Sequence, residues 1–166
     1  GSKFAVMSNS GSSANLLMIA ALIHSKKHRL SVGDEVIVPA VSWSTTYYPL
    51  HQYGLKMKFV DIDGQTLNLD LDALEESISE KTRAVFAVNL LGNPIDYHRL
   101  REICEESSLI LIEDNCESMG AKLNERYAGT FGIAGTFSSF FSHHISTMEG
   151  GMTVTDCKEM YQLMKS

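Results

Sequence analysis

The feature of this sequence that most restricts its fold is a rhythm: short apolar runs alternate with longer amphipathic stretches from one end to the other. Phe4 to Met7, Glu35 to Val38, Met57 to Val60, Arg83 to Val88, Leu109 to Glu113, Gly135 to Ser139 and Met152 to Thr155 read as strands. A strand with one wet face alternates apolar and polar residues. The central runs here lack that pattern, which predicts a mostly parallel sheet buried on both faces between flanking helices, an α/β fold. The helices are expected between the strands. Ser13 to His24 carries Ala14, Leu17 and Ala21 at helical spacing, and Ser44 to Tyr53 opens in a Ser/Thr cluster and stops at Gly54. Leu71 to Ser79 has acidic residues in its first turn, and Tyr97 to Glu106 has a polar face. Pro39 is expected to close the second strand. In such a sheet a ligand binds beyond the carboxyl ends of the strands.

Composition removes several function classes. A chain of 166 residues suits one domain with a sizeable core. Its apolar runs, such as Leu16 to Ile23 and Ala84 to Leu91, fall well short of the roughly 20 residues a membrane helix needs, so no membrane partner is expected. With 14 Lys plus Arg against 20 Asp plus Glu, and no basic cluster interleaved with aromatics, a nucleic-acid partner is not expected either. Cys104, Cys116 and Cys157 form no CxxC pair, which disfavours a disulfide framework or a local zinc site and points to a reducing cytoplasmic setting. The chain opens at Gly1-Ser2-Lys3 without Met and closes at Ser166 inside a helical pattern, so both ends read as cuts in a longer protein.

Three segments bear chemistry. Ser8 to Ala14 joins the first strand to the first helix with small residues and hydroxyls; alone, it fits an ordinary solvated turn or an anion cradle at a helix N-terminus. Leu109 to Ser118 is an apolar strand ending in Glu113, Asp114 and Glu117. Those acids suit a solvated strand end, or a carboxylate pairing with a protonated ring nitrogen. Gly135 to Gly151 contains adjacent His143 and His144, which fit a surface pair, a metal contact or a catalytic group; no third ligand at local spacing supports a metal, and none is expected. Trp43, the one Trp, fits a core position or a ring that stacks on a ligand.

Together with Pro39 to Thr46, these segments occur in the order seen in the aspartate-aminotransferase fold and resemble the DegT/DnrJ/EryC1/StrS sugar aminotransferase family over essentially the whole chain. The resemblance implies the large domain of the fold-type-I pyridoxal-phosphate-dependent transferases, with the C-terminal small domain absent from residues 1–166. In that family a lysine ahead of an E-G-G signature bonds covalently to pyridoxal 5′-phosphate. Counting back from Glu149-Gly150-Gly151, His143 takes that place, and Ser138 takes the phosphate-binding serine position. The stretches VSWSTTYYP, LIEDNCESMG, GTFSSF and SHH with MEGG resemble the 3-dehydratase branch.

That branch implies specific roles. Gly11 and Ser12 would hold the cofactor phosphate with Ser138, Trp43 would stack on its ring, Asp114 would bind the ring nitrogen, and Glu117 would lie beside it. An imidazole cannot form an imine. Pyridoxamine 5′-phosphate can then enter as the free amine and condense with the C4 ketone of a nucleotide-linked 4-keto-6-deoxyhexose, expected to be GDP-4-keto-6-deoxymannose. An unperturbed imidazole titrates near pH ~6.5, against ~10.4 for an amine, and suits proton shuttling at neutral pH. The resemblance makes His143 the group that takes a proton from the cofactor and returns one to the departing C3 hydroxyl. Glutamate would restore the amine, and the product, a 4-keto-3,6-dideoxy sugar, would serve colitose and lipopolysaccharide O-antigen synthesis. A homodimer is implied, and the 166 residues alone are expected to be inactive.

Rival readings are an iron–sulfur CDP-4-keto-6-deoxyglucose 3-dehydrase, in which Cys116 would be a cluster ligand, and an ordinary sugar aminotransferase using Lys122 or Lys158. A third is a structural fragment with no activity.

Overall fold

The computed structural model describes residues 1–166 as a three-layer α/β/α sandwich. In chain order its elements are β1 (Phe4–Ser8), α1 (Gly11–His24), β2 (Glu35–Pro39), α2 (Ser44–Gln52), β3 (Lys56–Val60), α3 (Leu71–Ser77) and β4 (Thr82–Val88). After a 3-10 turn at Leu90–Gly92 come α4 (Tyr97–Glu106), β5 (Ile110–Asp114), β6 (Lys122–Leu123), β7 (Arg126–Tyr127), β8 (Ala134–Ser138), β9 (Gly151–Thr155) and α5 (Lys158–Lys165).

Seven strands form one sheet in the order β1-β9-β8-β5-β4-β2-β3. The pairs β2/β3, β2/β4, β4/β5 and β5/β8 are parallel, whereas β9 is antiparallel to both β1 and β8. All strands but β9 therefore point the same way, as the missing alternation predicted. The two faces bury different residues of the same strands. Val36, Val38, Ala84, Phe86 and Ile112 pack with Met18, Ile19 and Leu22 of α1 and Met160 and Met164 of α5. Ile37, Val85, Ala87 and Leu111 pack on the other face with Leu74 of α3 and Tyr97, Leu100 and Ile103 of α4. An apolar residue at every strand position is what a sheet covered on both sides requires.

Some boundaries differ from expectation. Helix α1 starts at Gly11 rather than Ser13, because Ser10 caps it and its side chain accepts the Ser13 N–H at 3.1 Å. Its buried face runs through Met18 and Leu22, with Leu17 only partly covered. Pro39 lies inside β2, at its final pairing with Val60, where the strand no longer needs a donor toward β4. Helix α3 stops at Ser77, two residues early, where Ile78 turns extended. The hairpin β6/β7 was not expected: its residues are polar and largely exposed, so no periodicity marks them.

Glu113 anchors the loop beyond that hairpin. Its buried carboxylate accepts the N–H groups of Gly129, Phe131 and Gly132, each at 2.6 Å. Burial pushes the carboxyl above its ordinary value, while Tyr97 and the three N–H donors pull it back. Glu113 thus faces away from the ligand edge while its neighbour Asp114 faces it.

Candidate active site

The parallel strands deliver their carboxyl ends to one edge, and β9, running backwards, delivers its amino end there too. Between β1 and α1 the chain makes the tight turn that begins the site. The N–H groups of Gly11 and Ser12, in the first helical turn, have no intrahelical acceptor, and the helix dipole adds partial positive charge there. A Cβ on buried Gly11 would lie 2.6 Å from Ser138 Cβ and 2.8 Å from Cys116 Sγ, so only glycine lets this turn seat against β8. Ser138 ends β8 and brings a hydroxyl to the same place, where it accepts the Phe140 N–H at 3.2 Å. A turn with free N–H groups and two hydroxyls is an anion cradle.

In the same cavity wall, Asp114 ends β5 and is 5% exposed. Its Oδ2 accepts from Asn15 Nδ2 at 2.9 Å and Thr46 Oγ1 at 2.8 Å, and its Oδ1 accepts the Cys116 N–H at 3.1 Å. A buried carboxylate with no cation beside it, opening on a cavity, fits a cationic ligand nitrogen. Trp43, at the N-terminus of α2, is 71% exposed and lines the same cavity, so it is not a core residue. Glu117 also lines the cavity, and its Oε2 accepts the N–H of Leu91 at 2.7 Å. That bond holds Leu91 in a left-handed conformation at φ 54°.

The loop from Ser139 to Gly150 carries His143. It closes on itself: Ser139 N–H donates to Gly150 O at 3.0 Å, Thr147 N–H to Ser139 O at 2.9 Å, and Thr147 Oγ1 to Glu149 O at 2.8 Å. His143 is half-buried, edge-on to Phe140 with ring centroids 6.3 Å apart, and lines the cavity. His144 is exposed and does not. The adjacent pair therefore separates, and no group of three metal-ligating side chains comes together anywhere in the structure.

The cavity encloses about 360 Å³. Gly11, Ser12, Trp43, Asp114, Glu117, Ser138 and His143, which come from four separate segments, all line it. Thr46 lines it as well and Asn15 lies behind it, two residues the sequence reading passed over. Asn15, a polar residue on the buried face of an otherwise apolar helix, was the available signal. Cys116 is also in the wall; burial, and then the charge of Asp114 beside it, push its thiol far up, so it stays protonated. The arrangement offers an anion cradle, a carboxylate for a cationic nitrogen, an exposed aromatic face, and an imidazole to move protons. Those features fit a phosphorylated, protonated heteroaromatic ring. No helix is long and apolar enough to cross a membrane.

Comparison with known proteins gives a consistent result. GDP-4-keto-6-deoxy-D-mannose 3-dehydratase of Yersinia pseudotuberculosis is 63% identical over 164 residues, which are 99% of this chain and 42% of that protein. The Escherichia coli GDP-4-keto-6-deoxy-D-mannose-3-dehydratase, solved with bound hydrated PLP, superimposes with a TM-score of 0.96 at 62% identity, covering 99% of this chain and 42% of its own. A GDP-4-keto-6-deoxymannose-3-dehydratase solved with a trapped PLP-glutamate geminal diamine gives 0.97 at 61%, covering 99% and 43%. This chain thus spans less than half the length of the relatives it matches. The family model for the DegT/DnrJ/EryC1/StrS aminotransferases matches residues 1–166. With its aminotransferase-type sheet and a histidine in the wall of the cavity, the chain belongs to the DegT/DnrJ/EryC1/StrS aminotransferase family.

Proposed function

We propose that this chain is the cofactor-binding part of a pyridoxamine-phosphate-dependent 3-dehydratase acting on a nucleotide-linked 4-keto-6-deoxyhexose, GDP-4-keto-6-deoxymannose. The observation that carries the reading is an imidazole, not an amine, in the wall of a cavity that also holds an anion cradle and a buried carboxylate. Similarity above 60% to dehydratases of that name, one solved with hydrated PLP, supports it.

In this reading Gly11, Ser12 and Ser138 hold the cofactor phosphate, Asp114 holds the ring nitrogen, Trp43 covers the ring face, and Glu117 stays beside it. When bound, the cofactor supplies an amine for the sugar's C4 ketone and a conjugated ring that takes up electrons. His143 takes a proton from carbon and returns it to the C3 oxygen, which leaves as water. Overall the sugar loses its C3 oxygen and gains two electrons from glutamate, which departs as 2-oxoglutarate and ammonia. Glutamate as donor is supported by the relative solved with PLP and glutamate. Turnover, assembly as a homodimer, a cytoplasmic location and a place in colitose and O-antigen synthesis belong to the full-length protein. Residues 1–166 supply the cofactor half of the site.

The full-length protein, given PLP, glutamate and GDP-4-keto-6-deoxymannose, should release ammonia and a sugar without its C3 hydroxyl. A stable 4-amino sugar as product would reject dehydration. His143→Asn should lower turnover by about 10²-fold or more, the usual worth of a general acid–base, with PLP still bound. Undiminished turnover would remove His143 from the mechanism.

A further inference from the structure

Asn15 is fully buried, in the second turn of α1, on a face otherwise made of Ala14, Met18, Ile19 and Leu22. An amide there weakens the helix and the packing around it relative to an aliphatic residue, because it prefers non-helical backbone and must find every hydrogen-bond partner inside the core. Two of its three partners, Asp114 and Thr45, line the cavity. Nδ2 faces Asp114 Oδ2 at 2.9 Å and Thr45 O at 3.4 Å, and Oδ1 accepts the Thr136 hydroxyl at 2.6 Å. A carboxylate and a carbonyl only accept, so the amide nitrogen must point at them; the Thr136 hydroxyl then locks the amide from behind.

The effect falls on Asp114. A carboxylate oxygen accepts about two hydrogen bonds. Oδ2 already has two, from Asn15 and Thr46, whereas Oδ1 has one, from the Cys116 N–H. Thr46 is held in turn, with Ser42 Oγ 3.1 Å from its hydroxyl. We infer that Asn15 is a positioning residue: backed by Thr136 and joined by Thr46, it saturates one oxygen of Asp114 and so presents the other to the ring nitrogen of a bound cofactor. The inference rests on the cofactor reading above and assigns to α1 a second task besides carrying the anion cradle. One helix then sets both the phosphate and the nitrogen ends of the site.

The test is a double-mutant cycle on the full-length protein, with PLP affinity measured by equilibrium dialysis and the absorbance of the bound cofactor recorded. Asn15→Leu, similar in volume but apolar, should weaken PLP binding about tenfold, as expected for loss of one hydrogen bond to a charged group. Its absorbance band should shift in the direction seen for Asp114→Asn. In the Asp114→Asn background the same change should alter PLP affinity less than twofold, because the group through which Asn15 acts has gone. A full tenfold loss in both backgrounds, or no loss in either, would overturn the inference and leave Asn15 a packing residue. Thr46→Val tests the same cycle from the other donor and serves if Asn15→Leu does not fold. Failure of the unmodified protein to bind PLP would instead reject the cofactor reading itself.

Discussion

At Gly11 the site has no room for a single methyl group. Ser138 Cβ, at the end of β8, is fixed by its backbone and cannot swing aside, and Cys116 Sγ, in the turn after β5, crowds the same spot. Gly11→Ala should therefore cost about 1–3 kcal/mol of stability, the usual range for overpacking. Because relief would come by moving the cradle off β8, PLP affinity should fall with it. Calorimetry and dialysis on the full-length variant check both, and unchanged PLP binding would show that the turn is not the phosphate seat. At this scale the sequence was most informative where a residue type is unusual for its place. A Gly/Ser turn before a helix, acids closing an apolar strand, and a histidine ahead of Glu149-Gly150-Gly151 were all legible. Asn15 and Thr46 were not, because their meaning depends on a carboxylate distant in sequence that only the fold brings within hydrogen-bond reach.

Among the elements, the sheet's amino edge is tied by one acidic residue. Glu35 opens β2, accepts hydroxyls from Ser79 at 2.9 Å and from Thr82 of β4 at 2.8 Å, and lies 3.6 Å from Lys58 of β3. Burial alone would lift its carboxyl, but the Thr82 and Ser79 hydroxyls and the Lys58 ammonium hold it below its ordinary value. A group lowered on folding contributes stability above its unfolded value, near ~4.3, and loses it as pH falls through the lower, folded value. Glu35→Gln should consequently flatten the acid limb of a Tm-against-pH curve below about pH 4.5, with little change at its neutral end. An acid limb of unchanged slope would mean that this contact is screened by water. Strand existence and helix placement were readable because both faces of β2, β4 and β5 are apolar. Helix ends were less so, since Ser10 and Ile78 set them by local backbone geometry rather than by periodicity. The β6/β7 hairpin had no apolar pattern to read, and Glu113 fastens only the loop that follows it.

For the whole molecule, burial separates Cys104 from Cys157. Cys104 lies in the α3/α4 layer, where burial pushes its thiol up to about 12. At pH 8 roughly one molecule in ten thousand would carry the reactive thiolate. Cys157 is only half-buried, at the start of α5. Iodoacetamide at pH 8 should label Cys157 long before Cys104, with Cys104 reacting only as the domain opens; peptide mass spectrometry reads the order. Equal rates would show that the α3/α4 layer is not closed in solution. The overall architecture was the most legible level of all, because the absence of alternation states that a sheet is covered twice. The reversed strand β9 was not, since nothing in its composition records direction.

That reversed strand has a mechanical outcome. Gly151 pairs with Ser8 on one side and Ser138 on the other, and a Cβ on it would lie 2.0 Å from the Ser10 carbonyl oxygen. The loop bearing the imidazole is thus hinged directly onto the turn that would grip the phosphate, with no side chain between them to act as a cushion. A tug on either is felt by the other, so a molecule that seats its anionic end well also sets the height of the histidine above the remainder of its body.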